Sequence, residues 1–458
     1  MPLIKPGSLT ADERSFRNAK PGAAFLISYK AFADLAGKVA LFAITIVAAR
    51  RLSPQAFGVF SLGSTLGWIV AVTTDFGIQL HLARAVARRP QDAAWLLASW
   101  LRVRLWTAAG AMAVVLSGLL VAGWRTPFSV PIAVLALVYA CSGLIELLHY
   151  FYRGLSRSDV ESSLTLWQRS ATLVCGLIAL AWWPDVTVLA CAMLLPVLAT
   201  LAFSVRLATR LSSRRPEGLH YDGHDHSSSA DLQVRPHDYS RSADLQVRPW
   251  TTFRRDVWPI GAGIVLSALY FRIDVFLIQA WSGTESVARY NAVFRLVEAL
   301  RLFPAAVLAV VLPSLCRAGD LRPLMRVAVP ITGCAAAVAG ALWAAAGWLV
   351  PFVYGAPYAS AVPAFRILLL SFPLMSLNFA LTHQLVGWNG QRAYAAICAL
   401  ALVVNVLMNS RLVPAWSIDG AAWATLGTEL FLTAGCVVEL WFMTARAGGA
   451  VAEDVVMG

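Results

Sequence analysis

The chain has 458 residues, of which 59% are hydrophobic and only 14% charged, against roughly a quarter charged in a soluble domain. That balance excludes the cytosolic-enzyme class and places the chain in a membrane. A net charge of +12 would point to nucleic acid in a soluble protein, but here the informative quantity is where Lys and Arg sit. Seven scattered cysteines exclude a disulfide scaffold.

In chain order, Met1–Gly22 is polar, with Lys5, Arg14, Arg17 and Lys20 and no apolar core of a signal peptide, so it is expected to stay in the cytoplasm. Apolar stretches long enough to cross a bilayer recur at about 25–49, 56–80, 105–123, 130–152, 164–183 and 187–205. After a polar interval, six more follow at 257–281, 290–313, 327–350, 362–388, 394–410 and 420–443. The expected fold class is therefore an all-α integral membrane protein with about 12 transmembrane helices in two six-helix lobes, 1–205 and 257–458, joined by a cytoplasmic linker over 206–256.

Loops assigned alternately from a cytoplasmic N-terminus carry 25 Lys and Arg on one side and 5 on the other. Even without the nine in the long linker the bias holds, which predicts a multi-pass protein of the cytoplasmic (inner) membrane with both termini cytoplasmic. The linker holds a tandem repeat: His224–Pro236 reads HDHSSSADLQVRP and His237–Pro249 reads HDYSRSADLQVRP, identical at 11 of 13 positions. His220, His224, His226 and His237, with Asp222 and Asp225, imitate a metal site, but duplication of a polar linker accounts for their spacing and no metal is expected.

The halves resemble each other faintly. At an offset of 230, the segment Ser53–Phe60 lies against Gly283–Tyr290, each joining the first and second helix of its half. With an even number of helices per half, such a repeat is parallel and places a substrate site between the halves near the midplane.

Phosphate-cradling GxxxxGK[ST], HExxH and CxxC are all missing, so ATP hydrolysis and zinc chemistry are not expected of this chain. What carries information is charge inside apolar segments, which costs about 2.5–3.5 kcal/mol per group on insertion scales and usually faces a cavity or a partner. Lys30, Asp34 and Lys38 share one stripe of the first helix, either lining a cavity or forming a self-neutralising ladder. Arg272 and Asp274, two apart, cannot share a face, so one is expected to meet the cavity and the other its own bundle. Arg295, Glu298 and Arg301 are spaced so that the acid can bridge both bases. Arg169, Arg366 and His383 are lone basic groups and Asp75, Glu146, Glu429 and Glu439 lone acids, many near helix ends where snorkelling explains them.

These residues converge on a resemblance. Ala49-Arg50-Arg51-Leu52-Ser53-Pro54-Gln55-Ala56-Phe57-Gly58-Val59-Phe60, followed by Asp75-Phe76-Gly77, resembles the opening of Wzx-type polysaccharide flippases of the MOP superfamily, which also includes MATE exporters and lipid II flippases. In the second half, Phe271-Arg272-Ile273-Asp274, Arg289-Tyr290-Asn291-Ala292, Phe303-Pro304-Ala305 and Leu312-Pro313 look like the same family.

The resemblance implies a non-enzymatic transporter that flips an undecaprenyl-diphosphate-linked oligosaccharide by alternating access between two lobes set in a V. Its expected partners are that lipid-linked oligosaccharide, membrane lipid and polysaccharide assembly proteins, with no nucleic acid. The expected diphosphate site is Lys30, Lys38, Arg272, Arg295 and Arg301; Asp274, Asn405, Asn409 and Thr425 look like an ion-coupling set for sodium, with proton coupling as the other option and no further cofactor. Other MOP-type exporters, of drugs or of lipid II, are the nearest alternative. A twelve-helix major facilitator fits less well, because Arg84-Ala85-Val86-Ala87-Arg88-Arg89 lacks that family's glycine-rich loop. From another class, a membrane polymerase or glycosyltransferase usually exposes a large outer loop, whereas the longest outer connection here is about 11 residues, Pro351–Ala361.

Overall fold

The computed structural model describes residues 21–121, 128–213, 258–317 and 320–457. The first part comprises α1 (Pro21–Arg51), α2 (Pro54–Asp75), α3 (Ile78–Arg88), α4 (Ala93–Val121), α5 (Ser129–Gly154), α6 (Ser158–Trp182) and α7 (Val186–Ser213). The second comprises α8 (Trp258–Ser282), α9 (Thr284–Leu300), α10 (Leu302–Arg317), α11 (Arg322–Tyr354), α12 (Val362–Gly387) and α13 (Gln391–Met457). The 13-residue repeats, their histidines and the rest of 214–257 lie outside the described residues.

Ten helical segments are long and apolar enough to cross a membrane. The twelve crossings read from the sequence are recovered when two departures are counted. The eighth apolar stretch is not one helix: it breaks between α9 and α10 at Leu300–Arg301, leaving two pieces each too short to span. The last two stretches run together as α13, divided at Ser417, whose backbone leaves helical geometry at φ 50°, ψ −125°. Gly420 permits that sharp return, since a Cβ there would lie 2.1 Å from the Leu412 carbonyl oxygen. The second stretch also ends early. α2 stops at Asp75, whose carboxylate accepts from the Gly77 and Gln79 amides at 3.2 Å each, while Phe76 and Gly77 take positive φ. α3 then restarts as an amphipathic helix burying Ile78, Leu82 and Val86, with Arg84 and Arg88 exposed. α7 continues to Ser213, past residue 206 where the linker was expected to begin.

The offset of 230 extends well beyond the Ser53–Phe60 segment. It carries the starts of α2, α4 and α6 to within three residues of the starts of α9, α11 and α13. The second helix of each half is broken and followed by a shorter continuation, α2–α3 and α9–α10. Within the first half, α1 packs on α6, and α5 packs on α2, α3, α4 and α7; within the second, α13 packs on α8 and α12, and α12 on α11. Two six-crossing lobes result, meeting along α2 with α8 and α9 and along α1 with α9 and α11.

Small residues set that seam. A Cβ on Gly58 would lie 2.1 Å from the Thr284 carbonyl oxygen, and one on Gly261 would lie 2.6 Å from that of Phe76, so both ends of α2 touch the second lobe backbone to backbone. Trp106, Val121, Leu195, Leu407 and Trp441 face outward, as suits lipid contact.

Candidate substrate cavity and ion site

Between the lobes lies a cavity of about 630 Å³. It joins a second of about 520 Å³, the two sharing Lys38, Leu41, Tyr139, Met193, Arg295 and Glu298. α1, α2, α3, α5, α6 and α7 furnish the first-lobe wall and α8, α9, α10 and α12 the second-lobe wall. The pseudo-repeat thus puts its interface where an inter-lobe site was expected.

Four of the five cations assigned to the diphosphate line this space: Lys38, Arg272, Arg295 and Arg301. Lys30 does not. Its ammonium lies 2.5 Å from Glu161 on α6, which Arg153 also holds at 2.5 Å, so the charge is consumed inside the first lobe. The stripe on α1 therefore divides: Lys30 and Asp34, 3.8 Å apart, belong to the neutralising ladder, and Lys38, two turns on, belongs to the cavity.

Glu298 does bridge two bases, but Arg301 is not one of them. Its carboxylate accepts from Arg295 at 2.7 Å and from Arg272 at 2.8 Å. The break after Leu300 takes Arg301 off the α9 stripe, and its guanidinium instead lies 4.3 Å from the centre of the Phe271 ring. Arg272, 3% exposed, is further held by the Asn291 side-chain oxygen at 3.1 Å and lies over Phe294 at 4.6 Å. These four cations and one carboxylate leave a net positive wall at the seam. An Arg guanidinium supplies paired donors for a phosphate, strengthened where water is scarce.

On the other side of α8, Asp274 turns into the lobe, as its spacing from Arg272 requires. Its carboxylate accepts from the Tyr290 hydroxyl and from the Val275 amide at 2.8 Å, and Tyr290 reaches Thr425 at 3.0 Å. Asn405 and Asn409 form a neighbouring group: Asn405 donates to Thr428 at 3.1 Å, and Asn409 donates to the Asn405 side-chain oxygen at 2.9 Å. Thr425 and Thr428 lie three apart on α13, which sets the two groups side by side. The Asn409 side-chain oxygen is buried without a partner among the described residues. Tyr290 and Thr428 join this region without being among the four ion-coupling residues expected from the sequence; the Arg289-Tyr290-Asn291 motif was the available signal for the first.

Several residues read as lone charges acquire surroundings. Asp75, Glu146 and Arg169 all line the larger cavity, with Gln79, Tyr139, Tyr150 and Trp68 nearby. Glu429 accepts from the Asn378 amide at 2.7 Å, and Arg366 stacks over Trp343 at 4.8 Å. His383 contacts the Phe379 carbonyl at 2.6 Å. Among the described residues no cluster of three or more His, Cys, Asp or Glu could hold a metal.

A family described as polysaccharide biosynthesis protein matches residues 27–318. No curated protein matches the chain with significance. Among solved structures, the chain is similar to the lipid II flippase MurJ in an inward closed conformation: TM-score 0.62, 11% identity, over 90% of this chain and 87% of that one. It is equally similar to an inward-facing multidrug resistance MATE transporter of the MOP superfamily, with TM-score 0.62 and 14% identity over 92% and 95%. A MOP superfamily transporter from Pyrococcus furiosus gives 0.54 and 12% over 92% and 95%. At such identities the likeness establishes the fold alone: two lobes of the kind found in MOP transporters.

Proposed function

The chain belongs to the polysaccharide biosynthesis protein family, and from that premise we propose that it flips an undecaprenyl-diphosphate-linked oligosaccharide across the cytoplasmic membrane. Lys38, Arg295 and Arg301 supported by Arg272 are the diphosphate site, and both chain ends and the 214–257 segment lie in the cytoplasm. The observation that carries the reading is the cationic seam beside an apolar wall. Lys38, Arg295 and Arg301 share one cavity with Val39, Phe42, Leu302, Ala305 and Phe379. A lipid diphosphate needs this pair of surfaces, since the anion must be met by charge while the polyprenyl tail stays in the bilayer.

A net positive cavity favours this cargo over the cationic compounds of a drug exporter. Lipid II shares the same diphosphate chemistry and is the second reading. Asp274, Asn405, Asn409 and Thr425, with Tyr290 and Thr428, form the proposed coupling region, where oxygen ligands suit a hard cation such as sodium. The test is accumulation of lipid-linked glycan on the inner leaflet after deletion. Complementation by the parent and loss of complementation by Arg295→Ala and Arg301→Ala at normal expression support the assignment; full complementation by both refutes it.

A further inference from the structure

The cavity is not uniform in charge. At the seam, Lys38, Arg272, Arg295 and Arg301 outnumber Glu298. At the first-lobe end the wall carries two carboxylates, Asp75 and Glu146, and one guanidinium, Arg169. No ion pair joins Glu146 or Asp75 to a base within 4 Å among the described residues; the nearby Arg104 donates one nitrogen to the Ala71 carbonyl at 2.9 Å and keeps its other two nitrogens buried without a partner among the described residues. Glu146 is exposed although it sits in the middle of a buried stretch of α5, because its side chain faces the cavity. Around these charges stand Gln79, Ser142 and Thr172, the rings of Trp68, Tyr139 and Tyr150, and Thr65. The Thr65 hydroxyl is buried, its residue 1% exposed, and has no partner among the described residues.

We infer that this first-lobe end is a binding subsite for the sugar next to the diphosphate, and that it selects a neutral, hydroxyl-rich or amino-bearing sugar over an acidic one. The inference rests on the flippase reading and orients the cargo within it. A sugar ring presents hydroxyls that both donate and accept, and a wall mixing carboxylates, a guanidinium, amide and hydroxyl groups can answer both. Aromatic rings supply apolar area for the ring faces. A uronic acid placed there would bring a third negative charge against Asp75 and Glu146, whereas at the seam an anion is favoured. The tail then leaves on the opposite side of the seam, past Val39, which is 56% exposed.

The test compares three lipids binding to the purified full-length protein in detergent: undecaprenyl diphosphate, the same lipid carrying one hexosamine made neutral by N-acetylation, and the same lipid carrying one uronic acid. The parent is expected to hold the hexosamine lipid about tenfold more tightly than the bare diphosphate, equivalent to about 1.4 kcal/mol, and to gain nothing from the uronic acid. Glu146→Gln and Tyr150→Phe should erase most of the hexosamine gain while leaving the bare lipid unchanged, which also shows the variants to be folded. Arg301→Ala should weaken all three lipids alike. Equal affinity of the parent for hexosamine and bare lipids, or tighter binding of the uronic acid, overturns the subsite while leaving the flippase reading intact. Failure to bind any of the three overturns the flippase reading itself.

Discussion

The guanidinium of Arg50, on the last turn of α1, donates to the Val353 carbonyl oxygen at 2.7 Å and to that of Phe352, bridging the two lobes through the final turn of α11. The contact meets carbonyl groups that a helix end leaves unpaired and puts a cation at the negative end of its dipole. Nearby, the Phe57 ring meets Tyr358 edge-on at 6.0 Å and Gly58 touches Thr284. This face of the inter-lobe seam is therefore closed, and Arg50 is the charged group that latches it.

The alternating access that belongs to the proposed function requires that latch to open, so its strength has to stay modest. Arg50 is exposed, which limits its worth to about 1 kcal/mol. Arg50→Ala is expected to raise the labelling rate of a cysteine placed at Ser64, inside the cavity, by a few-fold when an impermeant reagent is added from the Arg50 side. Arg50→Lys should fall between, having lost the paired donors. An unchanged rate in both variants would remove the latch.

Closure at the same face also depends on Gly58. Adding a methyl group there brings a carbon to 2.1 Å from a backbone oxygen, a clash that only separation of α2 from α9 can relieve. Gly58→Ala is expected to lower thermal stability in detergent and raise Ser64 labelling more than Arg50→Ala does. Gly110, where a Cβ meets nothing within 4 Å, is the control: Gly110→Ala should be neutral or slightly stabilising.

Most of the architecture was legible because the bilayer imposes a strict length on each apolar run and leaves little alternative to helix. The helix breaks were less so. Asp75-Phe76-Gly77 appeared as a motif, but nothing in apolar periodicity says that Asp75 turns back to hold two amides and ends α2. The break at Leu300–Arg301 has no such punctuation, which is why Arg301 was placed on one stripe with Glu298 and Arg295. The misplacement of Lys30 has a different origin. Helical spacing shows that Lys30, Asp34 and Lys38 share a stripe, but not that Glu161, more than a hundred residues away, occupies its lower end. For the same reason Glu146 and Arg169 passed as isolated charges, since their relation depends on how α5 and α6 face α2.

Arg272, Glu298 and Arg295 should behave as one unit. Arg272 is buried while Glu298 is 34% exposed to the cavity, so removing the carboxylate leaves a buried charge uncompensated at some part of the about 3–5 kcal/mol of a fully buried pair, and Glu298→Gln alone is expected to destabilise more than the double variant Glu298→Gln, Arg272→Met. A cycle of thermal unfolding measurements in detergent should show a coupling of about 1–3 kcal/mol. Additive effects would mean that the 2.8 Å contact contributes nothing.

The charge bias and the described helices together predict sidedness. With α7 ending and α8 beginning on the face opposite Arg50, the 214–257 segment should lie on the cytoplasmic side together with both chain ends. A cysteine at Ser228 should resist an impermeant reagent in intact cells and react after the membrane is opened; labelling in intact cells overturns the topology. Deletion of His237–Pro249 should leave transport intact, because changing linker length costs little. Loss of transport at normal expression would give the repeat a role of its own.

Sodium coupling is the last expectation, and the geometry makes it specific. Asp274 is bonded by Tyr290, and Asn409 keeps a buried side-chain oxygen without a partner among the described residues, so an ion entering between the two groups gains a carboxylate and an amide oxygen once the Tyr290 hydroxyl swings aside. The native state should then be stabilised by sodium over potassium at equal ionic strength, rising to about 2.7 kcal/mol when sodium exceeds its dissociation constant a hundredfold. Asp274→Asn and Asn409→Ala should each abolish the difference, the first because a neutral amide replaces the only formal charge in the set. Tyr290→Phe should instead increase it, since removing the competing hydroxyl frees the carboxylate. Thermal unfolding of the parent that does not distinguish sodium from potassium, together with full transport by Asp274→Asn in sodium-free medium, would rule out this site as the coupling element.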